Sequence, residues 1–343
     1  MWKKWSEAWQ IAAVYVGTVV GAGFATGKEI VEFFTQYGTF GTIGVIISGS
    51  LFTWMGARMM VMARRIGAVS YEQFNRYLFG NVMSPLVTMM MTAMIMGVVA
   101  VMIAGAGAVF EEQLGLSKQA GIMITLCLSL VVMLYDIKGL FSVNALVVPI
   151  MVLFSAIVLF KLFVMGKWGD EGSMTIDHSL KAFLAPLSYA AFNLAMAQPV
   201  LVPLAQEADD ETTVRRGAMI GGVLLTGILL SSHFVLLSFP HVISYDIPMA
   251  EVIRSFFPLF YWVYILVIYG EILTSIIGGV FGLQRQFRAM FSVSNSLFLI
   301  ALFALLYAAS LFRYSSLLSF LYPLFGYISF VFLLLLCVRK VPK

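Results

Sequence analysis

The sequence predicts an all-α integral membrane protein that crosses the bilayer about ten times. Of its 343 residues, 61% are hydrophobic and only 11% are charged, whereas a soluble domain carries about 25% charged residues. The apolar residues form runs of the length that a transmembrane helix needs, about 20 residues. These runs lack the alternation of period two that a membrane β-barrel requires. The chain is therefore predicted to lie mostly in lipid.

Ten such runs follow one another along the chain. The predicted spans cover residues 8–37, 41–63, 84–110, 119–136, 139–165, 179–205, 216–239, 256–282, 293–311 and 315–338. They make residues 1–343 one transmembrane domain with two halves, about 8–165 and about 179–338. A short helix at the membrane surface is predicted over residues 70–80. Residues 240–255 form a longer outer connection, which is either a lid or a plain loop.

The basic residues predict the orientation of these spans. With the N-terminus inside the cell, seven of the 21 Lys and Arg residues fall outside: Lys28, Lys118, Lys161, Lys167, Lys181, Arg254 and Arg313. The remaining ones are cytoplasmic, as the positive-inside rule requires. The sequence thus predicts a multi-pass protein of the inner (plasma) membrane with both termini in the cytoplasm. No basic cluster of the kind that binds nucleic acid is present, so the predicted partner is the lipid bilayer.

The first span contains an unusual concentration of glycine near its centre: Gly17, Gly21, Gly23 and Gly27. Each glycine inside a helix costs about 1 kcal/mol relative to alanine. The glycines are either seams where helices pack closely or a break in the helix that lines a cavity. Lys28, Glu29 and Glu32 follow within the same span, and charges at this depth are costly and usually functional. The pattern favours a functional break.

The sixth span carries the second predicted interruption. Pro186 and Pro199 flank a stretch that contains Ser188, Asn193 and Gln198, and proline removes a backbone donor from a helix. The alternative is a simple proline kink. Spans one and six hold matching positions in two five-helix halves of opposite orientation. Interrupted spans in matching positions indicate the binding site of a secondary transporter.

The nine residues from Gly21 to Glu29, Gly-Ala-Gly-Phe-Ala-Thr-Gly-Lys-Glu, resemble the motif of the YkvI-type bacterial membrane proteins. These proteins are placed in the amino acid–polyamine–organocation superfamily, and the resemblance extends over the whole chain. It implies the leucine-transporter fold, with five-plus-five inverted repeats, broken helices one and six, and a substrate bound between those helices. The resemblance implies the architecture but no particular substrate.

The predicted substrate-binding residues lie at the two interruptions: Gly21, Ala22, Gly23, Phe24, Thr26, Ser188, Tyr189 and Asn193. The resemblance to sodium-coupled members of the fold further implies that the Gly17 and Val20 carbonyls face Thr274 and Ser275 in span eight. Glu271 shares the face of those two hydroxyls by its helical spacing. Its carboxylate departs from the pattern, and it leaves proton coupling or a cationic substrate open. No cofactor other than a sodium ion is predicted, and no other metal.

Two functions are compatible with this sequence. The first is a cation-coupled secondary transporter, a symporter, for a small organic solute such as an amino acid or an amine. The alternative is a membrane sensor or receptor subunit that binds a small molecule without transporting it. No catalytic motif is present, so an enzyme is not expected. His233 in span seven is either a packing residue or a proton relay, and the composition does not indicate an oligomeric state.

Overall fold

The computed structural model describes residues 2–134, 150, 153–154, 156–161, 163–164, 180–290 and 295–341. Regular structure in these ranges is helical. The helices are α1 (Trp2–Val19), α2 (Ala22–Thr26), α3 (Lys28–Phe33), α4 (Thr39–Arg65), α5 (Tyr71–Gln113), α6 (Lys118–Leu134), α7 (Leu180–Glu207), α8 (Glu211–Leu237), α9 (Pro248–Phe256), α10 (Tyr261–Met290), α11 (Asn295–Ser310) and α12 (Tyr314–Val338). Short 3-10 turns at Thr35–Tyr37, Pro240–Ser244 and Pro258–Phe260 join some of them.

Six stretches among the described residues are long and apolar enough to cross a bilayer. They are α4, α5, α7, α8, α10 with the turn before it, and α12, which match the predicted spans two, three, six, seven, eight and ten. The shorter apolar helices α6 and α11 fall at spans four and nine. Predicted span five, 139–165, lies mostly outside the described residues, as does Lys167. The all-helical membrane architecture is confirmed, while the count of ten and the inverted repeat stay predictions.

The short helix predicted over residues 70–80 is present as the first turns of α5. The Ser70 hydroxyl accepts a hydrogen bond from the Gln73 backbone N–H at 3.3 Å and caps its start. Gly80, with φ 78° and ψ 172°, separates these turns from the long membrane helix. The kink requires glycine because φ there is positive.

The interruption predicted in span six was wrong, because α7 runs continuously from Leu180 to Glu207 with three prolines inside it. A transmembrane helix tolerates proline where neighbouring side chains satisfy the backbone. The Ser48 hydroxyl of α4 donates to the Pro186 carbonyl at 2.7 Å, and the Asn193 side chain donates to the Tyr189 carbonyl at 3.0 Å. The first bond ties α7 to α4 and the second lies within α7, and the segment that contains the three prolines stays helical throughout.

The main helix pairs among the described residues are α4 with α8, α4 with α7, α1 with α8, α7 with α12, and α5 with α10. At one end of the bundle, two arginines of α4 bind the ends of other helices. Arg64 donates to the carbonyls of Ala205 and Ala208, 2.9 and 2.8 Å away, near the end of α7. Arg58 donates to the Leu336 carbonyl at 2.6 Å near the end of α12. These contacts use the carbonyls that a helix C-terminus leaves without partners.

Candidate functional site

The first span is broken where its glycines predict. Helix α1 ends at Val19, and Gly21 follows in an extended conformation with φ −107° and ψ −171°. Gly27, with φ 82°, then separates α2 from α3. The span therefore consists of three helical pieces joined at two glycines. Gly17 lies in the last turn of α1, where carbonyls have no partner inside the helix.

Gly21 borders open space. A Cβ atom added to this residue would meet no atom within 4 Å, and Gly21 itself is only half-buried. The next residues, Ala22 and Phe24, are buried in the core. Of the five residues predicted to bind substrate in the first span, Gly21 is thus the one whose backbone has room for a neighbouring molecule.

The space beside Gly23 is filled by another side chain of the first span. A Cβ atom at Gly23 would lie 1.9 Å from Oε1 of Glu29, so the Glu29 carboxyl occupies the space beside this glycine. Gly23 therefore makes room for a buried side chain of its own span, and its contact with a substrate stays a prediction.

Glu29 is 5% exposed, and three buried tyrosines from two other helices lie around it. The hydroxyl of Tyr189 in α7 is adjacent to its carboxyl, and Tyr314 and Tyr322 of α12 are within electrostatic range. The Tyr314 hydroxyl also shares a 2.8 Å hydrogen bond with Thr26. Thr26 is thus buried and hydrogen-bonded to α12.

The three predicted residues of α7 contact different parts of the protein. Tyr189 packs against the rings of Phe33, Phe34 and Phe52. It also belongs to the group of Glu29 and its three tyrosines, called the Glu29 cluster below. The Ser188 hydroxyl donates to the Pro323 carbonyl of α12 at 3.3 Å. Asn193 is buried, and its side-chain amide bonds within its own helix. Ser188 and Asn193 are therefore engaged in helix packing in this structure.

Helix α10 brings a second buried carboxyl group. Glu271 is 2% exposed, and its Oε1 has no hydrogen-bond partner. Thr274 is buried and donates to the Glu271 carbonyl oxygen at 3.1 Å, while Ser275 is half-buried. The Tyr264 hydroxyl donates to the Ala25 carbonyl at 3.0 Å and holds α10 against α2. The predicted coupling helix therefore lies alongside the broken span, and a sodium ion between Gly17, Val20 and α10 stays a prediction.

The outer connection docks onto the end of the broken span. The Lys28 ammonium donates to the carbonyls of Ile243 and Tyr245, 3.1 and 2.9 Å away. The Glu112 carboxylate accepts from the backbone N–H groups of Asp246 and Ile247 at 2.9 and 3.1 Å. Two charged side chains thus bind the backbone of this connection, and its action as a lid stays a prediction.

His233 of α8 has both ring nitrogens within hydrogen-bond distance of threonine hydroxyls. Nδ1 lies 3.2 Å from Thr35 and Nε2 lies 3.0 Å from Thr42. These contacts join α8 to the end of the first span and the start of α4, as expected for the packing interpretation. Glu29, Tyr314 and Tyr322 lie together with the predicted residue Tyr189 but were not among the predicted site residues. The signal for Glu29 was present, because it is a charge inside a predicted span.

A helical bundle whose first span breaks beside buried carboxyl groups defines a class of polytopic membrane protein, and a solved structure shares its fold. The structure described as "Inward facing conformation of Mhp1" matches 94% of this chain and 73% of its own chain, with a TM-score of 0.56. The sequence identity is 12%, so the likeness concerns the fold.

The family follows from a much closer relative. The chain is 44% identical over 337 residues to YkvI, an uncharacterized membrane protein of Bacillus subtilis (strain 168), across 98% of this chain and 97% of YkvI. The chain therefore belongs to the YkvI family of membrane proteins, as the motif from Gly21 to Glu29 predicted. The uncharacterized protein YyaD of the same strain is 21% identical over 342 residues and 98% of each chain. No protein-family model matches the chain.

Proposed function

We propose that this protein is a secondary transporter of the amino acid–polyamine–organocation superfamily, in which a cation gradient drives the uptake of a small organic solute. An amino acid or an amine is the expected class of solute. The observation that carries the proposal is the break at Gly21, where backbone at membrane depth borders open space. Unwound backbone is tolerated inside a membrane only where it is buried in protein or lines a cavity.

The surroundings of the break support transport of a polar solute. Backbone groups of an interrupted helix bind the charged ends of substrates in secondary transporters. Two buried carboxyl groups belong to this region, Glu29 in α3 and Glu271 in α10, which packs on α2. Isolated carboxylates at this depth are costly, and they mark ion or substrate pathways. The chain also shares its overall fold with Mhp1.

The proposed substrate contacts begin with Gly21 and Ala22, where the helix is unwound. The proposed contacts from α7 are Ser188, Tyr189 and Asn193. Because all three are buried in this structure, they reach a bound solute only when the bundle rearranges around it. Gly17, Val20, Thr274 and Ser275 are the proposed sodium ligands, with Glu271 beside them. A sodium ion would find hard oxygen donors in that set.

A thermal-shift screen tests the location of the solute. Purified protein is heated with single amino acids and amines, with and without sodium chloride, and a ligand that binds the folded state raises the melting temperature. Gly21→Trp is expected to abolish the rise because the indole fills the open side of the break. Gly227→Trp is the matched control, since Gly227 also borders open space but lies exposed on α8. A ligand that stabilises both variants equally would place the solute elsewhere.

A further inference from the structure

The carboxyl group of Glu29 occupies a space made for it inside the bundle. Its Oε1 lies against the Cα of Gly23, and a Cβ at that position would come within 2.6 Å of the carboxyl carbon as well. The approach depends on Gly27, whose positive φ folds α3 back toward α2. Two glycines of the motif thus deliver one acidic side chain to a buried position.

No positive charge balances this carboxyl group among the described residues. Three tyrosines of α7 and α12 interact electrostatically with it: Tyr189, Tyr314 and Tyr322. Helix α8 also packs on α3, and its His233 is engaged with Thr35 and Thr42. On its own helix, Lys28 is bound to the carbonyls of Ile243 and Tyr245, and Glu32 accepts from the Ser319 hydroxyl. A carboxylate without a partner in such a place carries a large desolvation cost. The group that removes this cost is a bound cation or a proton.

The packing favours a proton over a metal ion. The Gly23 side of the carboxyl is filled by backbone, and the rings of Phe33, Phe34 and Phe52 surround Tyr189 on another side. The Tyr189 hydroxyl is fully buried and has no partner at hydrogen-bonding geometry. This hydroxyl can accept from the carboxyl group when that group carries a proton and can donate to it when the proton has left.

We infer that Glu29 is a proton-binding site of the transport cycle, with Tyr189 as the residue that positions the proton. This inference rests on the proposed transport function and names the proton as one of its coupling ions. An O–H bond forms at a Glu29 oxygen when a hydronium ion on one side of the membrane gives up its proton. That bond breaks when the first span moves and water on the other side takes the proton. The charge of the proton is thereby moved across the membrane with the solute.

Infrared spectroscopy of the purified full-length protein tests the inference without a substrate. The C=O stretch of protonated carboxyl groups is recorded at neutral pH for the wild type, Glu29→Gln and the matched control Glu32→Gln. Glu29→Gln is expected to lose one component of this band, and Glu32→Gln is expected to retain it. Tyr189→Phe should keep the component and shift its frequency, because the hydrogen-bond acceptor is gone. An unchanged band in Glu29→Gln, or a component that sodium chloride abolishes, would overturn the inference.

Uptake into proteoliposomes tests the coupling. The probe is the radiolabelled amino acid or amine that raises the melting temperature most, and an inward acid gradient is imposed with and without sodium. The wild type and Glu32→Gln are expected to accumulate the probe faster under the gradient, and Glu29→Gln is expected to lose that stimulation completely. Stimulation retained in Glu29→Gln would contradict proton binding at Glu29. If the wild type accumulates no probe under any gradient, the transport function fails, and the infrared result still decides whether Glu29 holds a proton.

Discussion

Alanine is expected to be tolerated better at Gly21 than at Gly23, although the two residues are close in the sequence. At Gly21 the backbone is extended and the added methyl group meets no atom within 4 Å. Replacing glycine by alanine at a compatible conformation stabilises a protein by about 0.4–1 kcal/mol. Gly21→Ala should therefore leave the free energy of unfolding unchanged or slightly higher.

At Gly23 the same methyl group would overlap the Glu29 carboxyl, with only 1.9 Å between Cβ and Oε1. Alanine gains about 1 kcal/mol in helix propensity, but overpacking a buried position costs about 1–3 kcal/mol. The net change at Gly23 is a loss of about 0–2 kcal/mol, so Gly23→Ala is expected to be less stable than Gly21→Ala by up to about 3 kcal/mol.

Unfolding of the purified variants in mixed detergent micelles measures this difference. The cause is isolated by a double-mutant cycle with Glu29→Ala, which removes the overlapping carboxyl. In that background Gly23→Ala should cost little. A cost that is the same with and without the Glu29 side chain would refute the assignment of Gly23 to Glu29.

Three further outcomes follow from contacts around the broken span. Lys28→Met removes two hydrogen bonds to the outer connection, so a cysteine at the buried position Val242 should become reactive to a thiol reagent in that variant. Equal protection of this cysteine with and without the lysine would show that Lys28 does not hold the connection in place. His233→Leu leaves two threonine hydroxyls without their partner, at a cost of about 1–3 kcal/mol for each one that stays buried, and should not change the pH profile of uptake; a changed profile would restore the proton-relay interpretation. Cysteines at Lys4 and at Val341, in a background without native cysteines, should both be shielded from an impermeant reagent in intact cells, and labelling of either would reject the predicted topology.

Much of the fold is predictable because lipid imposes simple rules on composition. The apolar runs gave the helices, and the concentration of glycine gave the break after Val19. The continuity of α7 was not predictable from local rules, because each proline removes a backbone donor and so indicates an interruption. Ser48 reaches the Pro186 carbonyl from another helix, and nothing in the local pattern around the prolines indicates this.

The grouping of site residues was less accessible to sequence reasoning. Ser188 and Tyr189 are consecutive, yet the first contacts α12 and the second joins the Glu29 cluster, since adjacent residues of a helix point about 100° apart. The pairing of Gly23 with Glu29 depends on the left-handed conformation of Gly27. Because of this turn, the Glu29 side chain lies beside Gly23, six residues earlier in the chain. The periodicity of a continuous helix would not bring these two residues together.

The central claim is that the protein moves a small solute rather than only binding it, and accumulation in proteoliposomes tests it most directly. Vesicles that contain the full-length protein receive the stabilising amino acid or amine in radiolabelled form under an inward gradient of protons or sodium. We predict that the internal concentration rises above the external one and that an ionophore which collapses the gradient abolishes the rise. Label that saturates at the amount of protein present, with no accumulation under either gradient, would contradict transport and identify a sensor that binds its ligand in place.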